Sequence, residues 1–234
     1  MPDIIMLTAE NFPLKNQRKG GAASLLLASL LLEATRMLDD GMEASHIEAI
    51  AKKTFGSERG FLAQLDEVGI LEVNEYLEAM ADSSDTEDII FLKYYNFFTP
   101  GKSLISKKQE YEEAEDKSTA MWVKSDFEEL EPEDFMLADL LKKRFMAVSF
   151  IIAVELVEAE LLDLEDVDKL CKTVLGWKEG PFAMMNRVGI QETMSLVTEK
   201  MEMSHRQEIN FPIPKRLIEQ AQKNAPWPLN SKIS

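Results

Sequence analysis

The sequence predicts an all-α protein built as two tandem helical units. Apolar residues recur at the i, i+3, i+4 spacing of a single helix face through most of the chain. The β-branched alternation expected of strands is nearly absent. A shift of 120 residues, Gly56 onto Gly176, lays one half of the sequence on the other without a gap. The chain has 234 residues, 45% of them hydrophobic, enough for a buried core in one large or two small domains.

The elements follow in order. Leu25, Leu26, Leu30, Glu33, Ala34, Met37 and Leu38 lie on or beside one helical stripe, with Glu33, Arg36, Asp39 and Asp40 gathering toward its exposed end. Gly41 stops this helix at a C′ position. Ser45 and Glu48 have the spacing of a capping box that opens a second helix, with Ile47, Ile50 and Ala51 as its buried face. The short apolar run at 89–92 suits a helix at least as well as a strand. Gly101, Lys102 and Ser103 resemble the end of a phosphate loop. That pattern needs a glycine where Asn96 stands, so a helix start after Pro100 is the better reading.

Between 110 and 134 the composition turns acidic: Glu110, Glu112, Glu113, Glu115, Asp116, Asp126, Glu128, Glu129, Glu131, Glu133 and Asp134 face only Lys117 and Lys124. Met121, Trp122 and Val123 form an apolar island that should dock. This divides the chain into a first helical unit at 1–123, an acidic connector at 124–139 and a second unit at 140–234.

The two halves share a sequence of steps. The first carries Phe55, Gly56, Gly60, Phe61 and then Val68, Gly69, Ile70; the second carries Leu175, Gly176, Gly180, Phe182 and then Val188, Gly189, Ile190. Each half thus reads as a long apolar helix, a second helix, a G-x-x-x-G turn, a short third helix and a V-G-I step. The paired glycines Gly56/Gly176, Gly60/Gly180 and Gly69/Gly189 are read as structural turns, where φ > 0 or close backbone approach is needed.

Composition excludes several function classes. A net charge of −16 opposes general binding to nucleic acid or to anionic membranes. The lone Cys171 allows no internal disulfide and no four-thiolate metal site, and two histidines, His46 and His205, allow no three-histidine site. His46 is read as an exposed first-turn residue, His205 as structural or exposed, and Cys171 as core. The acidic residues are too dispersed to nominate a carboxylate pair, and no calcium-loop spacing occurs. Residues 1–10 lack a basic segment followed by an apolar one, and the apolar runs at 22–32 and 145–154 are shorter than the ~18–20 residues of a membrane span. The expectation is a soluble, cytoplasmic protein with no metal and no cofactor of its own.

The order of Glu33, Ala34, Gly41, Ala44, Ser45, Ile47, Gly56, Gly60, Phe61, Asp66, Val68 and Gly69 resembles the C-terminal helical domain of 3-hydroxyacyl-CoA dehydrogenases. Glu165, Asp166, Val167, Asp168, Gly176, Gly180, Pro181 and Phe182 repeat the resemblance in the second half. It covers roughly 20–123 and 140–229 and implies a fold like the 6-phosphogluconate dehydrogenase C-terminal domain. The family's multifunctional fatty-acid oxidation enzymes carry two such domains in tandem. Its dehydrogenases place a nucleotide-binding domain ahead of them, with a G-x-G-x-x-G turn and a catalytic His–Glu pair; this sequence contains no G-x-G.

The resemblance therefore implies no catalytic residue in this chain. It points to an acyl-CoA-side or assembly role with a separate nucleotide-binding subunit, or to a catalytically silent helical dimerisation or interaction module, with a homodimer as the expected assembly. The family's substrate-contacting Asn would fall at Ser24, and at Arg144 in the second half. Two basic clusters, Lys15, Arg18, Lys19 and Lys142, Lys143, Arg144, precede the long helices, where positive charge opposes the helix dipole. They suit either ion pairs with the acidic connector or the phosphates of CoA.

Overall fold

The computed structural model describes residues 20–81, 96–124, 127–209 and 213–229. Among these residues all regular structure is helical. The first half holds α1 (Gly20–Asp39), α2 (Ala44–Phe55), α3 (Phe61–Val68) and α4 (Ile70–Ala81). α5 (Lys102–Glu113) and a 3-10 turn (Lys117–Ala120) follow. The second half holds α6 (Phe135–Glu158), α7 (Leu164–Thr173), α8 (Pro181–Val188) and α9 (Ile190–Arg206), and α10 (Lys215–Lys223) comes last. The apolar run at 89–92 lies outside the described residues.

α3 and α8 begin and end at corresponding positions of the repeat. Their boundaries are local in origin. Gly69 and Gly189 take φ of 109° and 100°, values side-chain-bearing residues rarely adopt, and this lets α4 and α9 start immediately in a new direction. α1 ends with the hydrogen bonds Gly41 N–H to Leu38 O and Met42 N–H to Met37 O around a left-handed Gly41, the Schellman pattern.

The two long helices pack side by side at the centre, and α2, α8 and α9 also lie against α6. α6 is buried on every face from Arg144 to Val157, which is why its sequence reads as a run and not a stripe. α1 has the length and hydropathy of a membrane span, unlike the shorter run at 22–32, yet nearly nine-tenths of it is buried inside the protein. The connector is shorter than expected: α6 starts at Phe135, because the Asp134 carboxylate accepts the Met136 N–H and caps it.

The halves share one continuous core. At the seam the Phe55 ring lies against Trp177 (4.1 Å between centroids), with Phe61 and Phe145 next to it. Lys178 N–H donates to Phe55 O across the seam (2.8 Å). Gly56 has a double reason to be glycine: its φ is 65°, and a Cβ would lie 2.7 Å from that of Lys178.

Carboxylates tie each half internally. Glu48, on α2, accepts the Leu62 N–H (2.5 Å) at the start of α3. Its repeat partner Asp168, on α7, accepts the Phe182 and Ala183 N–H groups (2.8 and 3.0 Å) at the start of α8. Gly60 and Gly180 leave room for these carboxylates, which a Cβ would strike. Glu48 is therefore not the partner of Ser45 in a capping box. α2 begins two residues earlier, with Glu43 at the N-cap position, Ser45 donates to Glu43, and Glu48 turns inward because α3 offers it unpaired amides. A second clasp repeats with altered chemistry. Asp66 accepts the N–H groups of Trp122 and Val123, docking the apolar island, whereas Asn186 accepts Trp227 N–H and donates to Trp227 O.

Burial raises Glu48 to about 7 and Asp66 to about 6, against the pull of the amides they bind, and it raises Asp168 as well. A carboxyl raised in the folded state stabilises the fold below its unfolded pKa and loses that contribution as pH rises through the folded value. The unfolding free energy is therefore expected to fall, and the melting temperature with it, as pH rises from about 4.5 to 7, the free energy with a slope on the order of 1 kcal/mol per pH unit. Glu48→Gln keeps the acceptor for Leu62 and should flatten that slope. Thermal denaturation of both proteins across this window checks it.

Candidate functional site

Polar chemistry inside the protein converges on Glu33, in the C-terminal half of α1. Its carboxylate is fully buried, accepting Arg144 Nε from α6 (2.6 Å) and Lys200 Nζ from α9 (2.7 and 2.8 Å). Arg144 also donates through Nη1 to Asp40 (2.6 Å), and Gln207 reaches the other Asp40 oxygen. Sequence periodicity places Glu33 and Arg36 toward solvent; the structure buries both, because α6 and α9 cover that end of the stripe.

Burial alone would raise Glu33, but the charges of Lys200, Arg144 and Arg36 outweigh it and hold the carboxyl at about 2. One carboxylate facing three cations leaves positive charge in surplus. Burial, with Arg144 and Arg36 nearby, accordingly draws Lys200 down to about 8 despite its bond to Glu33. Glu33, Arg144 and Lys200 hold one another in place across three helices, and the cluster works as an internal lock. It escapes a reading of either half alone, because its members lie 111 and 167 residues apart. The repeat does carry a signal for it: Glu33, Arg144 and Lys200 stand opposite Ala153, Ser24 and Met80 in the other half.

The residues expected at a substrate surface separate. Ser24 is fully buried with its hydroxyl unpartnered, on the inner face of α1. Arg144 turns inward to Glu33 and Asp40, which removes it from any surface patch. Lys143 pairs with Asp139 one turn away (2.9 Å). Lys142 alone of this cluster is exposed, without an ion pair among the described residues. Lys15, Arg18 and Lys19 lie outside the described residues. His46 is half-buried, with Nε2 3.9 Å from the Glu43 carboxylate, and His205 is exposed. Cys171 is buried, which raises its thiol well above the usual range. Among the described residues no three metal-ligating side chains come together.

Lys142 lines a groove of about 410 Å³ between α2, the acidic connector and α6. Ile50, Pro132, Phe135 and Ala138 form apolar wall; Lys53 and Arg187 line it already paired with Glu131 and Glu179, and Glu133 and Asp139 line it too. The connector is held there by Lys52–Glu129 and Lys53–Glu131 ion pairs (2.8 and 2.5 Å). Beside the groove Phe135 and Met136 are 81% and 79% exposed, with Leu130 and Leu140 also exposed, an apolar ridge on a strongly acidic protein.

The lock generates a stability prediction. Glu33→Gln strands Lys200 in the core and should lower unfolding free energy by about 3–5 kcal/mol. Lys200→Met, the residue its repeat partner carries, should recover part of that loss in the double variant, with a coupling of about 1–3 kcal/mol. Denaturant unfolding of the four proteins measures it.

The sequence pattern of the 3-hydroxyacyl-CoA dehydrogenase C-terminal domain matches residues 21–97 and 142–225, more than half of the chain. No curated protein matches the sequence. The first matched stretch takes in α1 to α4 and the second most of α6 to α10, so each falls on one of the two glycine-stepped halves. By this match and by its all-helical architecture, the chain belongs to the family of the 3-hydroxyacyl-CoA dehydrogenase C-terminal domain.

Proposed function

We propose that this chain is the acyl-CoA-side or assembly subunit of a 3-hydroxyacyl-CoA dehydrogenase of cytoplasmic fatty-acid oxidation, and that a second polypeptide supplies the nucleotide-binding domain. The groove at the start of α6 carries the proposal. CoA is polyanionic, and a protein of net charge −16 can hold it only where a cation is free to meet its phosphates. Lys142, without an ion pair among the described residues, lines an apolar-walled cavity of about 410 Å³, within the size range of small-molecule sites, while its neighbours Lys53 and Arg187 are paired with Glu131 and Glu179. The adjoining Phe135, Met136 and Leu140 offer apolar surface to an acyl chain or to a partner subunit.

The residues do not fit a nicotinamide dinucleotide. The sequence has no G-x-G turn, and the described residues contain no strand leading into a helix. Hydride transfer is therefore assigned to the partner, and this chain's share is to bind and orient. Purified protein mixed with NAD and a 3-hydroxyacyl-CoA should produce no NADH. Calorimetric titration with the acyl-CoA should show saturable binding in the micromolar range, weakened about tenfold or more in Lys142→Glu, equivalent to ~1.4 kcal/mol. Turnover by the chain alone, or no binding, would overturn the reading.

The inward turn of Arg144 and the burial of Ser24 favour a second reading, a catalytically silent helical dimerisation module. Sedimentation distinguishes it: a stable dimer that binds no acyl-CoA and that Phe135→Ser disperses would select the module.

A further inference from the structure

Lys52 and Lys53 stand in the last turn of α2, where positive charge suits the helix dipole. Lys52 pairs with Glu129 and Lys53 with Glu131, both acids of the connector. Lys53 and Glu131 line the α6 groove themselves, on either side of its mouth from α2 to the connector, and Lys142 lines it with them. All four paired side chains keep contact with solvent, and Leu130 between the two glutamates is exposed. Two carboxylates, one residue apart, thus face two adjacent ammonium groups.

Little else ties this stretch down. Between Glu128 and Glu133 the connector makes no backbone hydrogen bond to any described residue. Its side chains supply the attachment, the two ion pairs and the buried Pro132. Exposed lysine–glutamate pairs are weak and give way to competing ions. A phosphate brings more charge than a carboxylate and uses the same ammonium donors. We propose that Glu129 and Glu131 hold the place of phosphates, and that Lys52 and Lys53 form a phosphate subsite that opens when CoA displaces the two carboxylates. The glutamates need only swing outward into solvent, while Pro132 and the cap at Asp134 keep the connector in place. This inference rests on the acyl-CoA reading of the groove and describes how that site is regulated: an acidic strap restrains binding until a polyanion replaces it.

Calorimetric titration of the full chain with 3-hydroxybutyryl-CoA tests it. Glu129→Gln/Glu131→Gln should bind about fivefold or more tightly than the unaltered protein. The same charge change at Glu112 and Glu113, exposed on α5, controls for the loss of net negative charge and should alter affinity less than about twofold. Adding Lys52→Gln/Lys53→Gln to the Glu129→Gln/Glu131→Gln protein should erase the gain. Binding confined to the Glu129→Gln/Glu131→Gln protein would be the extreme of the same effect. No gain, an equal gain in the Glu112 and Glu113 control, or a gain that survives loss of the two lysines would overturn the subsite and leave the acyl-CoA reading standing. Absence of binding by every protein would overturn both.

Discussion

One buried carboxylate, Glu33, decides how the two halves of this protein meet. α1 and α6 are apolar over most of their surfaces, and apolar packing is non-directional, so it specifies contact without specifying partner. Glu33 supplies the missing direction. It is satisfied only where α6 presents Arg144 and α9 presents Lys200. A first half set against another first half would meet Ser24 and Met80 instead and bury an unpaired charge. The net contribution of such a cluster to stability is small, because desolvation offsets attraction. Its effect lies in penalising the alternatives.

Around this asymmetric lock the protein repeats its symmetric devices. Gly56 and Gly176, Gly60 and Gly180, Gly69 and Gly189 bend or open the backbone at matching points. The carboxylates that fill the openings also repeat, with freedom in length: Glu48 and Asp168 each meet the first amides of the short helix that follows. The returning tails repeat less closely. An acceptor-only Asp66 meets two N–H groups at Trp122 and Val123, and an Asn186 meets one N–H and one carbonyl at Trp227. The backbone steps persist while the side chain at each clasp follows the local supply of donors and acceptors.

The same packing moves chemistry from the surface to the interior. Arg144, a candidate for phosphate contact by sequence, is spent on Glu33 and Asp40, and Ser24 is sealed inside α1's inner face. The groove beside Lys142 and the cavity beside Arg36 stay open at the surface.

Fold class, the order of helices, the family and the duplicated glycine steps were legible in the sequence by itself. These depend on local rules, the 3.6-residue period and the φ values only glycine takes easily, and on self-similarity, which needs no coordinates. The inward turn of Glu48 and the burial of Glu33 and Arg36 were decided by tertiary structure. The physical reason is the same in each case. A polar side chain goes where its unmatched partner is, and partners 14, 111 or 167 residues away come within reach only after the helices have packed.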